Sequence, residues 1–107
     1  MFPVSNAANA ARATINGAHI VRTLAADRFG GCMAMLDVNI PATTSLNCAI
    51  SWLSLDCDAV YHTQAQSNAL WTSALTAFTL QTRVSLVIDD ADKYGQYCVV
   101  ERIDIYR

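Results

Sequence analysis

Three carboxylates, a tyrosine and a glycine near the C-terminus form the sharpest chemical pattern in the chain. Asp90, Asp92, Tyr94, Gly95 and Glu101 stand at positions 1, 3, 5, 6 and 12 of a calcium-binding loop counted from Asp90. Positions 1 and 3 would supply carboxylate oxygens, position 6 the sharp turn, and position 12 a bidentate glutamate. Position 5 asks for an oxygen on a short side chain, and Tyr94 is too long. The loop also needs a helix on each side, whereas Val84–Ile88 and Val99–Ile105 alternate as strands do. A solvated hairpin turn is therefore expected. Asp90, Asp92, Tyr94 and Tyr97 are expected to form a contact surface around it.

The histidines offer less. His62 follows Cys57 by five residues and His19 lies far upstream, with no C-x-x-C or H-x-x-x-H spacing for zinc. No strained G-x-S-x-G nucleophile turn occurs either. These absences lead to the expectation of a protein that is not an enzyme and takes no metal or cofactor. Trp52 and Trp71 are residues that sugars and partner proteins often contact. Each falls on an apolar pattern, so both are expected in the core.

The four cysteines, Cys32, Cys48, Cys57 and Cys98, bear on where the protein works. An even count in a small chain points to disulfides and an oxidising compartment, secreted or periplasmic. Four cysteines allow three pairings, and spacing alone does not choose among them. Residues after Met1 show neither a basic n-region nor an apolar h-region, so export requires a leader that this sequence does not display.

The elements that must position these residues follow from composition and periodicity. The chain has 107 residues, 53% hydrophobic and 15% charged, which suits one domain with a buried core. Seven basic residues are spread singly at a net charge of −2, giving no concentrated surface for nucleic acid. No apolar run reaches the ~18 residues of a membrane-spanning helix. Residues 1–13 are small and polar and are expected to be a flexible arm before a single β-rich domain over 14–107.

A first strand is expected over Thr14–Leu24 and a second, antiparallel to it, over Cys32–Leu36, with a loop at 37–47. Alternation over Ala49–Asp56 gives a third strand. Thr63 and Gln66 have capping-box spacing, which starts a helix over Gln64–Leu80. Its buried stripe is expected to be Leu70, Trp71, Ala74, Leu75, Ala77 and Phe78, with Ser67 on the wet side. Val84–Ile88 and Tyr97–Tyr106 complete five strands around the Asp89–Gly95 turn. Glu101 interrupts the apolar face of the last strand, as a bulge or an edge position would. The class is α+β, mostly β.

The order of these pieces carries a resemblance over residues 48–106. It runs through Cys48 and Trp52, Leu53-Ser54-Leu55-Asp56, Ala74-Leu75-Thr76-Ala77-Phe78, Val84–Asp90, Gly95-Gln96-Tyr97-Cys98 and Arg102–Tyr106. This resembles small exported bacterial proteins and, at greater distance, is similar to the B subunits of subtilase-cytotoxin and pertussis-like toxins. The resemblance implies a small OB-like twisted sheet or barrel with the helix packed across it, and subunits that assemble into a ring. It also implies a Cys48–Cys98 bridge, leaving Cys32 with Cys57. The N-terminal hairpin that bears the paired cysteines and sugar-contacting serines in those subunits does not align residue by residue with this chain, so no such residue carries over. The implied function is a non-enzymatic exported binding or assembly module for a glycan or a protein. The alternative is a stand-alone periplasmic or secreted inhibitor, immunity or structural protein.

Overall fold

The computed structural model describes residues 11–107; the first ten residues of the expected arm lie outside them. The fold is a mixed α+β arrangement, a five-stranded sheet with helices packed against it. In chain order the elements are β1 (Arg12–Ala25), β2 (Cys32–Leu36), α1 (Ile40–Thr44), β3 (Trp52–Ser54), α2 (Gln64–Leu80), β4 (Arg83–Tyr94) and β5 (Tyr97–Tyr106).

β1 is longer at both ends than its β-branched centre predicted, because it serves two partners in turn. Its first half pairs antiparallel with β4, from Arg12 opposite Asp89 to His19 opposite Arg83. Its second half pairs antiparallel with β2, from Ile20 opposite Leu36 to Ala25 opposite Cys32. The strand bends where the register slips between Ile15 and Ala18. Gly17 sits in that slip at φ +78°, a conformation open to glycine at little cost.

The remaining ladders are β2 with β3, β3 with β5 and β5 with β4, so the hydrogen-bonded order returns to its start. The join between β3 and β5 is parallel and consists of Ser54 opposite Val99. β3 is only three residues long. The alternation over Ala49–Asp56 overstated it, and Ile50 is 63% exposed.

The expected 37–47 loop holds α1. Asn39 accepts the Ala42 N–H at 3.0 Å, Pro41 occupies the first turn, and Ser45 closes it in a left-handed conformation. The residues that read as loop are helix-capping residues around a single turn. Fully buried Ile40 anchors that turn in the core.

α2 begins and ends where its signals place it. Thr63 Oγ1 accepts the Gln66 N–H at 3.2 Å while Gln66 Oε1 accepts the Thr63 N–H at 3.1 Å. Its buried face is a correction. Ser67, Leu70, Ala74 and Ala77 are inside, Trp71 is half-buried, and Leu75 and Phe78 are 36% and 38% exposed. Two neighbouring stripes both satisfy helical spacing, and the one carrying small residues lies against β1 and β5. Alanines there let the helix axis approach the sheet, and Leu75 and Phe78 are rotated outward.

The core beneath α2 is built from Ile15, Ile20, Leu36, Leu53, Leu55, Val84, Leu86, Ile88 and Val100. β4 also runs further than predicted. The Asp89–Gly95 turn is instead strand up to Tyr94, and Gly95 and Gln96 form a two-residue connection with Gly95 at φ +65°. Asp90, Ala91 and Asp92 bulge out between Asp89, opposite Val99, and Lys93, opposite Cys98. Charged composition hid a strand whose extra residues leave the ladder.

Candidate functional site

Two neighbourhoods collect the polar and aromatic residues: a buried carboxylate at the end of β3, and an aromatic groove beside it. The buried carboxylate is Asp56, fully inaccessible and in the left-handed region at φ +58°. The chain turns around it. Asp56 Oδ1 accepts the Val60 N–H at 3.0 Å, and Oδ2 accepts those of Tyr61 and His62 at 2.8 Å each. The Tyr94 hydroxyl donates to Oδ1.

The surroundings hold this arrangement from three sides. Ser54 Oγ accepts the Asp56 N–H at 3.1 Å and donates to the Phe29 carbonyl at 2.8 Å. Tyr61 packs edge-on to Tyr94 at 5.4 Å and donates to the Lys93 carbonyl at 2.6 Å. The Cys32–Cys57 disulfide ties the turn to β2. Gly30, at φ +82°, passes so close that a Cβ there would stand 2.5 Å from Ser54 Oγ and 2.6 Å from the Tyr94 ring.

Burial pushes the Asp56 carboxyl up, yet the Tyr94 hydroxyl and the three amides outweigh it and hold the group below the usual carboxylate range. The Tyr94 phenol is pushed well above its ordinary value, first by burial and then by the adjacent Asp56 charge. Both Asp56 oxygens are saturated with donors. The carboxylate organises the β3–α2 turn and keeps no lone pair for a substrate proton. Tyr94, expected on a contact surface, has its hydroxyl committed here.

The calcium-loop residues are also committed elsewhere. Asp90 accepts the Ala11 N–H at 2.7 Å and the Asn47 N–H at 3.3 Å, tying β1 and the 45–51 connection to β4. Glu101 pairs with Arg12 at 2.7 Å. Burial raises the Glu101 carboxyl; Arg12 opposes this, and Asp89 and Asp92 reinforce it. Among the described residues no group of three or more His, Cys, Asp or Glu is placed to hold a metal ion.

The histidines sit on different elements with separate partners. His19 Nδ1 lies 3.3 Å from Asp37 Oδ2, and His62 Nε2 meets the Val100 carbonyl at 2.9 Å. A carbonyl can only accept, so Nε2 carries the His62 proton in that bond.

The groove has a volume of about 400 Å³ and is lined by Met35, residues 48–52, Gln96 and Tyr97. Trp52, expected in the core, is only half-buried and forms its wall. The Arg22 guanidinium stands 5.6 Å from the Trp52 ring centroid, and Tyr97 is braced edge-on by Phe29 at 5.0 Å. The Cys48–Cys98 disulfide and a 2.8 Å bond from the Ala49 N–H to the Gln96 carbonyl fix the two sides of the groove together. Trp52 and Tyr97 give the groove aromatic surface, and Gln96 and Ser51 give it polar groups.

Of the expected contact residues the groove gathers Tyr97 alone. Asp90 and Asp92 lie in the β4 bulge. Sequence reasoning missed Trp52 as a groove residue because its strand alternates; Trp52 opens β3 and stays half-buried, while Leu53 and Ser54 after it are fully buried. Asp56 gave no signal beyond following Leu55 in a run of buried residues. No protein-family model matches this chain, and no curated protein or solved structure matches it significantly.

Proposed function

We propose that this chain is a non-enzymatic, exported binding module built on an OB-like barrel, and that it seats a glycan in the Trp52–Tyr97 groove. The observation that carries the reading is the half-exposed Trp52 ring beside Tyr97 and Gln96. A sugar ring has an apolar C–H face that packs on an aromatic plane and hydroxyls that need donors and acceptors at the edge. The groove supplies both, and the Cys48–Cys98 bridge holds its walls in place before a ligand arrives.

Two further observations support the setting. The closed order of strand pairings, with α2 laid against β1 and β5, supports the barrel. Both disulfides accord with an oxidising compartment such as the periplasm or the exterior. Self-association into a ring belongs to the same reading, and light scattering on the purified protein tests it.

The test of the binding role is a glycan panel followed by calorimetry on its hits. Trp52→Ala and Gln96→Ala should each weaken binding by about tenfold or more, with the circular dichroism of the folded protein retained. Binding unchanged in both variants would reject the groove. A second reading, an inhibitor or immunity protein that recognises another protein, is favoured by Ile50, 63% exposed at the groove mouth. Ile50→Ser separates the two, since it should spare a glycan and impair a protein partner.

A further inference from the structure

β5 pairs with β4 along its length, from Tyr97 opposite Tyr94 to Tyr106 opposite Arg83. Its other edge meets β3 only at Val99. Beyond that point His62 covers the Val100 carbonyl, and from Glu101 to Tyr106 no described strand lies alongside.

The core-facing side of this stretch is short of cover. Ile103 and Ile105 stand opposite Leu86 and Val84, so the four residues share one face of the sheet. Leu86 and Val84 are 2% and 0% exposed, yet Ile105 is 37% exposed. A cleft of about 290 Å³ opens beside the first part of this stretch, walled by His62, by Gln66, Ala69 and Ser73 on one stripe of α2, and by Glu101, Arg102 and Ile103 of β5, with Leu70 inside.

We infer that this cleft is a strand-addition site, in which an extended segment of a partner polypeptide lies between α2 and the free edge of β5. An edge strand presents donors and acceptors at a repeat of about 6.7 Å, two residues of extended chain, and another backbone matches that repeat. Main-chain bonds would hold the segment, and every second side chain would cover Ile103, Ile105 and Leu70. The charges along the edge are already paired, Glu101 with Arg12 and Arg102 with Asp104. The segment that fits is therefore uncharged and alternately apolar.

The experiment titrates isotope-labelled protein with the capped peptide Thr-Val-Thr-Val-Thr and follows amide shifts by NMR. A second peptide carries an N-methyl group on every backbone nitrogen, so that neither of its edges can donate to a neighbouring strand. Saturable shifts confined to Glu101–Tyr106 and the 66–73 face of α2 are expected, weakened by about tenfold or more on N-methylation. Ala69→Trp fills the cleft from an exposed helix position and should have the same effect, whereas Trp52→Ala should leave this binding unchanged. Equal affinity for the methylated peptide, shifts elsewhere, or no saturation at millimolar peptide would overturn the assignment. So would a dimer in light scattering that Ala69→Trp dissolves, because the edge would then belong to a second copy of this chain.

Discussion

At the residue scale, Asp56 is the position on which most local structure converges. Replacing it by alanine leaves three amides and the Tyr94 hydroxyl without their acceptor. The loss should be at least about 3 kcal/mol by urea denaturation, since each stranded buried donor costs about 1–3 kcal/mol. Tyr94→Phe keeps the ring against Tyr61 and removes one bond to a charged group, at a cost of about 1.5–3 kcal/mol. Ser67→Ala should have the opposite sign. Ser67 Oγ is buried on the sheet side of α2 without a hydrogen-bond partner among the described residues, so its removal should stabilise by about 1 kcal/mol.

The same pair sets the response to pH. The Asp56 carboxyl lies lower in the folded protein than in the unfolded chain, so its contribution is complete above the unfolded value of about 3.9. That contribution is lost as pH falls through the lower, folded value. The Tyr94 phenol is raised, so its contribution is complete below the unfolded value of about 10 and is lost as pH rises through the folded one. Melting temperature followed against pH should therefore fall at both extremes. Tyr94→Phe should remove Tyr94's share of the alkaline fall, and an unchanged alkaline limb would contradict this role.

At the element scale, α2 shows how a well-marked helix can still have its buried face drawn too wide: Leu70, Ala74 and Ala77 are inside as expected, Leu75 and Phe78 are not, and Ser67 joins the buried set. Its ends were legible because Thr63 and Gln66 carry the capping box and the apolar spacing stops near Leu80. The limits of its buried face were not, since Leu70-Ala74-Ala77 and Trp71-Leu75-Phe78 obey the same period one residue apart. The sheet accepts the stripe with the smaller side chains. Phe78→Ala should thus cost only about 1 kcal/mol, well below the ~3–5 kcal/mol of a fully buried phenylalanine. Ala74→Leu should cost about 1–3 kcal/mol by overpacking against the sheet. Denaturation midpoints that reversed this order would put the other stripe inside.

The two disulfides act at this scale as well. Cys32–Cys57 spans 25 residues and holds the turn around Asp56, whereas Cys48–Cys98 spans 50 and joins the two walls of the groove. Loop closure alone makes removal of the longer bridge costlier, by about 0.6 kcal/mol for the doubled span. Serine pairs at each bridge, compared by thermal melts, check this. A larger loss at Cys32–Cys57 would mean that the Asp56 turn depends on its bridge more than chain entropy requires.

At the scale of the whole molecule, β2, α2 and β5 could be read from the sequence at their observed bounds. Each carries a local signal: a compact apolar run, a cap with helical spacing, and a long alternation. The rest depends on partners distant in the chain. β1 extends because β4 and β2 each take half of it, and β4 continues through four charged residues because bulging Asp90 is tied to Ala11 and Asn47. The same long-range ties dissolved the calcium-loop pattern. They also turned an alternating strand residue, Trp52, into the wall of a groove. Candidate binding residues were hidden because exposure of an aromatic ring is decided by where a sheet stops, which no local period records.

The groove is the centre of this account, and tryptophan fluorescence reports on it directly. Trp71→Phe leaves Trp52 as the single emitter, on a helix position away from the groove. Titrating this variant with glycans from a diverse panel should give at least one ligand that shifts and quenches Trp52 emission saturably, with the change abolished by Gln96→Ala. A glycan that binds in calorimetry while Trp52 emission stays constant, or a panel without any ligand, would contradict it.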